Sequence, residues 1–309
     1  MSANAPLSNQ SMLRPEDPSP VSVKPGRSLK WFVISDHASE TIPTQLGNLG
    51  LTEEDRLSHI GWDIGAKATA ARIAQRLEAT LIECGFSRLV IDCNRYPDDE
   101  LAMPIESGGI IIPGNATLSK ADRAARVQEI FIPYHQTIAA EIDKIEAAGG
   151  IPVILSIHSC TNQWEGKSRP WELGISWSHD ARVAQPIINA LNQREDLIVG
   201  DNLPYSLDIG IDFTTPEHAI RRGLAHLQIE FRQDLISDPA DASRWADIFV
   251  DALLASEPNA QNIQSAQSDG TASEATIPLD NPWHRRDRGL IDLLPALTAL
   301  THPLTANHR

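Results

Sequence analysis

The chain has 309 residues, with 26 Lys and Arg against 41 Asp and Glu, and a formal charge of -15. That field repels phosphate backbones and anionic lipid, which excludes nucleic acid and a membrane surface as partners; a small acid could be bound only by a local cluster of Arg. Cys84, Cys93 and Cys160 are widely spaced with no CxxC pair, so a reducing cytoplasm fits better than a disulfide framework or a cysteine zinc knuckle, and no run approaches the roughly 18 apolar residues of a membrane span.

Residues 1–28 carry Pro15, Pro18, Pro20 and Pro25 among Ser and Asn, a composition too polar to order itself, and read as a flexible arm without signal-peptide character. Residues 30–35, Lys-Trp-Phe-Val-Ile-Ser, form a short β-rich run ending in polar residues, as a buried central strand does, and put His37 just past its end. Thr52 with Asp55 resembles a capping box and starts a helix toward His59. Residues 65–79 follow as an amphipathic helix with Ile73 and Leu77 four apart. Residues 81–83 and 89–92 are strand candidates, the second leading into Asn94 and Arg95. The longest helical pattern covers 118–148, with Val127, Ile130, Tyr134, Ile138, Ile142 and Ile145 on one stripe, a kink expected at Pro133, and Gly149-Gly150 as the stop.

Residues 151–157 then give a strand running into His158, and 173–177 another. A helix follows at 181–192, and 225–231 alternates as a strand carrying Glu230. Asp238-Pro239 opens a helix to Leu254. The domain thus spans 29–256, and 257–309 is a polar tail with one candidate helix at 290–300 and a basic patch, His284 to Arg288. Strands alternating with helices predict an α/β fold with a mostly parallel or mixed central sheet and helices on both faces. Active sites in such sheets lie at the carboxyl ends of strands, which puts His37, Asn94, Arg95 and His158 on one rim.

A catalytic zinc takes three protein ligands of the His and carboxylate kind and keeps a place for water. His37 and His158 are placed for that, although a His after a strand can equally be a loop or cap residue. Two acids compete as third ligand. Glu40 makes a three-residue step with His37, or is a solvated loop acid; Asp63 lies in His59-Ile-Gly-Trp-Asp63-Ile-Gly, or caps the following helix. Arg95 has the planar fork that grips a carboxylate; the bland alternative is an ion pair with Asp98 or Asp99. Glu230 suits a general base, and Arg232, two residues on, either keeps it ionised or clamps substrate. Trp164, Trp171 and Trp177 line a pocket or pack a core. Ser159 and Cys160 lack the Gly-x-Ser-x-Gly elbow of a nucleophile.

Ser35-Asp36-His37-Ala38-Ser39, His59-Ile60-Gly61-Trp62-Asp63-Ile64-Gly65-Ala66, Asp92-Cys93-Asn94-Arg95 and Ile157-His158-Ser159 resemble the N-formylglutamate amidohydrolase family, over about residues 31–245. The resemblance implies a phosphorylase/hydrolase-like core similar to zinc carboxypeptidases and aspartoacylases. It further implies Zn2+ on His37, Asp63 and His158, with Asp63 preferred to Glu40, and substrate held by Asn94, Arg95 and Arg232. Arg95 would also polarise the scissile carbonyl, and Glu230 would move the proton. The activity implied is hydrolysis of N-formyl-L-glutamate to formate and glutamate, as in histidine degradation, with a small-molecule partner and either a monomer or a homodimer. Hydrolysis of another N-acyl amino acid or small peptide, or a binding and sensing role on the same fold, are the competing expectations.

Overall fold

The structure, a computed structural model, describes residues 11–256. Strand β2 (Trp31–Ser35) is buried throughout, and its alternation serves two cores at once: Phe32 and Ile34 join the cluster on one face of the sheet, Trp31 and Val33 the cluster on the other. A strand covered on both faces must be apolar at every position, which is why this run lacks a polar stripe.

Six further strands complete the sheet: β1 (Val21–Lys24), β3 (Thr80–Cys84), β4 (Val153–Cys160), β5 (Leu173–Ser176), β6 (Val199–Asp201) and β7 (His226–Arg232). Their order is β1-β3-β2-β4-β7-β5-β6. The four central strands β3, β2, β4 and β7 are parallel; β1 is antiparallel to β3 and β5 to β7, so the sheet is mixed as expected. Helix α1 (Glu53–Leu57) starts from Thr52, whose hydroxyl oxygen accepts from the Asp55 N–H at 3.1 Å. It stops two residues short of His59. Helices α2 (Ala66–Leu77) and α5 (Pro239–Ala255) cover one face through Ala70, Ile73, Ala246, Phe249 and Val250. The helical pair α3 (Lys120–Arg126) and α4 (Ile132–Ala147) covers the other. Between α3 and α4, residues Val127–Phe131 form a π-turn, the wider winding that accommodates Pro133 without breaking the axis.

Three expectations are revised. Within the expected arm, Val21–Lys24 pairs antiparallel with β3 and Met12 is buried; cross-strand pairing and one apolar anchor order what composition alone does not. Residues 89–92 are no strand. Leu89, Val90 and Ile91 are buried, but the loop's carbonyls are satisfied by side chains: Asn115 donates to Leu89 O at 2.9 Å and Arg126 to Val90 O at 2.8 Å. Strand β4 continues to Cys160, because Arg232 opposite extends the ladder, so His158 lies within a strand. The candidate helix at 290–300 and the patch at 284–288 fall outside the described residues.

One buried pair sets an acid limit on this fold. His135 and His218 stack with ring nitrogens 2.9 Å apart against Phe213, and burial pushes His135 down to about 4 and His218 well below its ordinary value. The folded state keeps both neutral while the unfolded chain protonates near 6.5, so the stabilisation is full above that pH and is lost on descent toward 4. From His135 alone, urea midpoints should report stability lower by about 2 kcal/mol at pH 5 than at pH 7.5. A flat profile would contradict the neutral pair.

Candidate active site

The polar site follows from the alternation of two neighbouring strands. In β4, Leu155 and Ile157 face one core, so Ser156 and His158 face the opposite side; in β7, Leu227, Ile229 and Phe231 do the same, leaving Gln228 and Glu230 beside them. Glu230 pairs in register with His158 and Gln228 with Ser156. His37 joins them from the turn after β2 and Asp63 from the turn before α2. The His37 carbonyl accepts the Asp63 N–H at 3.0 Å, which fastens the two turns together. Asp63 does not cap α2. That position belongs to Gly65, at φ 81°, where a Cβ would stand 2.1 Å from the Ile236 carbonyl oxygen.

The Asp63 carboxylate lies 3.3 Å from His37 Nδ1 and 3.0 Å from His158 Nδ1, and it accepts the Ser159 N–H at 3.1 Å. All three residues are buried, and one donor atom from each lies within 4.8 Å of the others. Each imidazole is braced from behind. His37 donates from Nε2 to Asp92 Oδ1 at 2.8 Å; His158 directs Nε2 to Ser156 Oγ at 3.0 Å, with Asp36 Oδ2 at 3.5 Å. A carboxylate only accepts, so the back nitrogen carries a hydrogen, and loss of the second ring proton would bare Nδ1 toward the centre. Two Nδ1 atoms and a carboxylate oxygen facing one another are a donor set that fits a metal ion, which would take the place of the ring protons, with an outer layer that fixes the rings.

Burial and Arg88 disfavour charge on His37, yet Asp92 and Asp63 raise its pKa; burial opposes charge on His158, yet Asp36 and Asp63 hold it well above the ordinary value. Asp63 resists its own burial because the two imidazoles hold it below the usual carboxylate range. Positive charge is thus favoured at the point where the three side chains meet. Burial pushes the Glu230 carboxyl up to about 7, with Asp63 adding to the rise and His158, His37 and Arg88 opposing it.

A cavity of about 320 Å³ opens over these groups. Its wall includes Asn94 and Arg95, as expected, but both are engaged. Asn94 donates to Asp212 Oδ1 at 3.0 Å and accepts the Phe213 and Thr214 N–H groups; Arg95 Nη1 meets Asp212 Oδ1 at 2.9 Å, an ion pair made with Asp212 instead of Asp98 or Asp99. Arg232 is not brought to the cavity. It ends β7 and turns to Asp234 at 2.9 Å and Glu172 at 3.5 Å, so neither the clamp nor the partner of Glu230 is found there. Glu40 stands apart from the cluster and offers its carbonyl to Arg56. Trp164 lines the wall, whereas Trp177 bonds Asp201 outside it and Trp171 is not part of it.

Sequence reasoning assigned no role to Asp36, Arg88, Asp92, Arg169 or Asp212. Arg88 bonds Asp92 Oδ2 at 2.6 Å and lies 3.5 Å from Asp63 Oδ1. The signal available is position: Asp36 abuts His37, and Arg88 and Asp92 shortly precede the Asn94-Arg95 pair.

A mixed α/β sheet carrying two histidines and an aspartate on one rim, each histidine braced by buried polar groups, defines an α/β protein with a centre able to hold a metal ion. Residues 29–237 match the family model of N-formylglutamate amidohydrolase, and the chain belongs to that family. It is 27% identical over 142 residues to an N-formylglutamate deformylase of Pseudomonas aeruginosa, covering 41% of this chain and 52% of that protein. It is 29% identical over 143 residues to that of Pseudomonas putida, covering 40% and 51%. The chain therefore spans about half the length of the curated relatives it matches. Among solved structures, the gene product Atu2144 of Agrobacterium tumefaciens superposes with a TM-score of 0.78 at 33% identity, covering 81% of this chain and 99% of that one. The N-formylglutamate amidohydrolase of Ralstonia eutropha JMP134 shares the fold, with a TM-score of 0.56 at 17% identity over 79% of this chain and 100% of that one. Among the described residues, no helix is long and apolar enough to cross a membrane.

Proposed function

We propose that the protein hydrolyses the amide bond of an N-acyl amino acid, first of all N-formyl-L-glutamate, to formate and L-glutamate. The observation that carries this reading is Glu230 paired in register with His158, with both side chains on the wall that holds His37 and Asp63. A protonatable carboxylate beside a cation site is what amide hydrolysis by water needs. Family membership and the names of the curated relatives support the substrate.

His37, Asp63 and His158 would hold the metal, zinc by this two-imidazole, one-carboxylate set, which when bound supplies polarisation of the amide carbonyl and acidification of water. Glu230 takes a proton from the attacking water as its oxygen bonds the carbonyl carbon, then delivers that proton to the nitrogen as the C–N bond breaks. Arg95, held in place by Asp212, presents its guanidinium to a substrate carboxylate, and Asn94 fixes the loop that carries it. Asp92 and Asp36 keep the rings aligned. Asp92→Asn should therefore weaken zinc affinity by about 10–100-fold in a chelator competition, and unchanged affinity would remove Asp92 from this role. The cysteine pattern supports a cytoplasmic setting.

The test is formate release by zinc-reconstituted protein from N-formyl-L-glutamate, run beside N-acetyl and aspartyl amides. Formate and glutamate should appear in equal amounts, stop with chelator and return with zinc. Turnover of the acetyl or aspartyl compound alone would reassign the acyl group, and binding of substrate without turnover of any would leave a sensing protein.

A further inference from the structure

Three guanidinium groups line the cavity, and they differ in their company. Arg88 faces Asp92 and Asp63, and Arg95 faces Asp212. Arg169 is 8% exposed, yet among the described residues it pairs with no carboxylate. Its Nη1 donates to Thr161 Oγ1 at 3.2 Å and its Nη2 to the Tyr205 hydroxyl at 2.6 Å. Its Cζ lies 4.8 Å from the centroid of the Tyr205 ring and 5.4 Å from that of the Trp164 ring. Aromatic faces and hydroxyls orient a cation and soften its desolvation, but a buried charge still lacks its counter-ion. The cavity is where that counter-ion can come from.

We infer that Arg169, framed by Trp164, Tyr205 and Thr161, binds the side-chain carboxylate of the amino-acid half of the substrate and so selects dicarboxylic N-acyl amino acids over neutral ones. The inference rests on the proposed amide hydrolysis. Distance favours the side-chain carboxylate over the one on the α-carbon. Thr161 stands three residues past His158, about 10 Å along an extended chain. In an N-acyl glutamate the far carboxyl carbon is five bonds from the scissile carbonyl carbon, about 6 Å when extended, and a guanidinium adds the rest. The near carboxylate is only three bonds away and falls to Arg95.

N-formyl-L-glutamine is the isosteric competitor with a neutral side chain. The native protein should prefer N-formyl-L-glutamate by about 100-fold in kcat/KM, and Arg169→Gln should lower kcat/KM on glutamate by about 100-fold while leaving glutamine within about threefold. Arg169→Lys, which keeps the charge but loses the fork and the stacking, should raise KM for glutamate with kcat little changed. Equal losses on both substrates would mean a structural role and overturn the inference, as would an unchanged preference. Calorimetry on the native protein separates this from failure of the proposed reaction: glutarate should bind at least about tenfold more tightly than glutaramate, which has an amide in place of one carboxylate. Equal affinities overturn the role of Arg169 whatever the turnover assay gives; a clear preference without turnover keeps it and removes only the reaction.

Discussion

His158→Ala should lose both bound zinc and formate release. The loss should exceed the ~10–100-fold that removal of an outer partner costs, because a direct donor disappears and the Asp63 carboxylate, 3.0 Å away, keeps its charge without that imidazole. His37→Ala should do the same, and the double variant should be scarcely worse than either single one, as groups acting as a unit are not additive. Far-UV circular dichroism controls for folding, since His158 also meets Ser156 inside the sheet. Stoichiometric zinc with full turnover in His158→Ala would end the account.

Glu230→Gln should separate chemistry from binding. The amide keeps the shape and the hydrogen-bonding reach toward Gln228 but cannot take a proton, so kcat should fall by about 10²–10⁴-fold with KM and zinc content held. Native kcat/KM should rise with pH as Glu230 ionises. Its pKa of about 7 is set by burial, and a cation in the cluster can only pull it down, so the limb lies at or below 7. The limb should vanish in the variant. A variant that keeps native kcat would move the proton-transfer role elsewhere.

Much of this site is legible in the sequence, for a physical reason. His37 and His158 follow apolar runs whose burial is written in their composition, and Glu230 sits on an alternating strand, so their place at one rim follows from sheet rules. The family motif alone favours Asp63 over Glu40, and the fold supplies the physical reason: the turn before α2 meets His37 through the Asp63 N–H bond to the His37 carbonyl and through the Asp63 carboxylate at His37 Nδ1. Arg232 shares the period-two register of Glu230, yet it is the last residue of its strand, where Asp234 and Glu172 can draw its side chain outward. The loop at 89–92 has a strand's composition because it is buried, but its hydrogen bonds come from Asn115 and Arg126, partners that no local pattern announces. Arg169 was overlooked for a similar reason: its neighbours Trp164, Thr161 and Tyr205 meet only through a hairpin and a distant loop.

The central claim is that His37, Asp63 and His158 form one metal centre. X-ray absorption at the zinc edge of the reconstituted protein tests it most directly. The first shell should hold nitrogen and oxygen only, with the outer-shell signature of two imidazoles, and the signal should be lost with the zinc in His37→Ala. A sulfur shell from any of the three cysteines, or a spectrum that His37→Ala leaves unchanged, would contradict it.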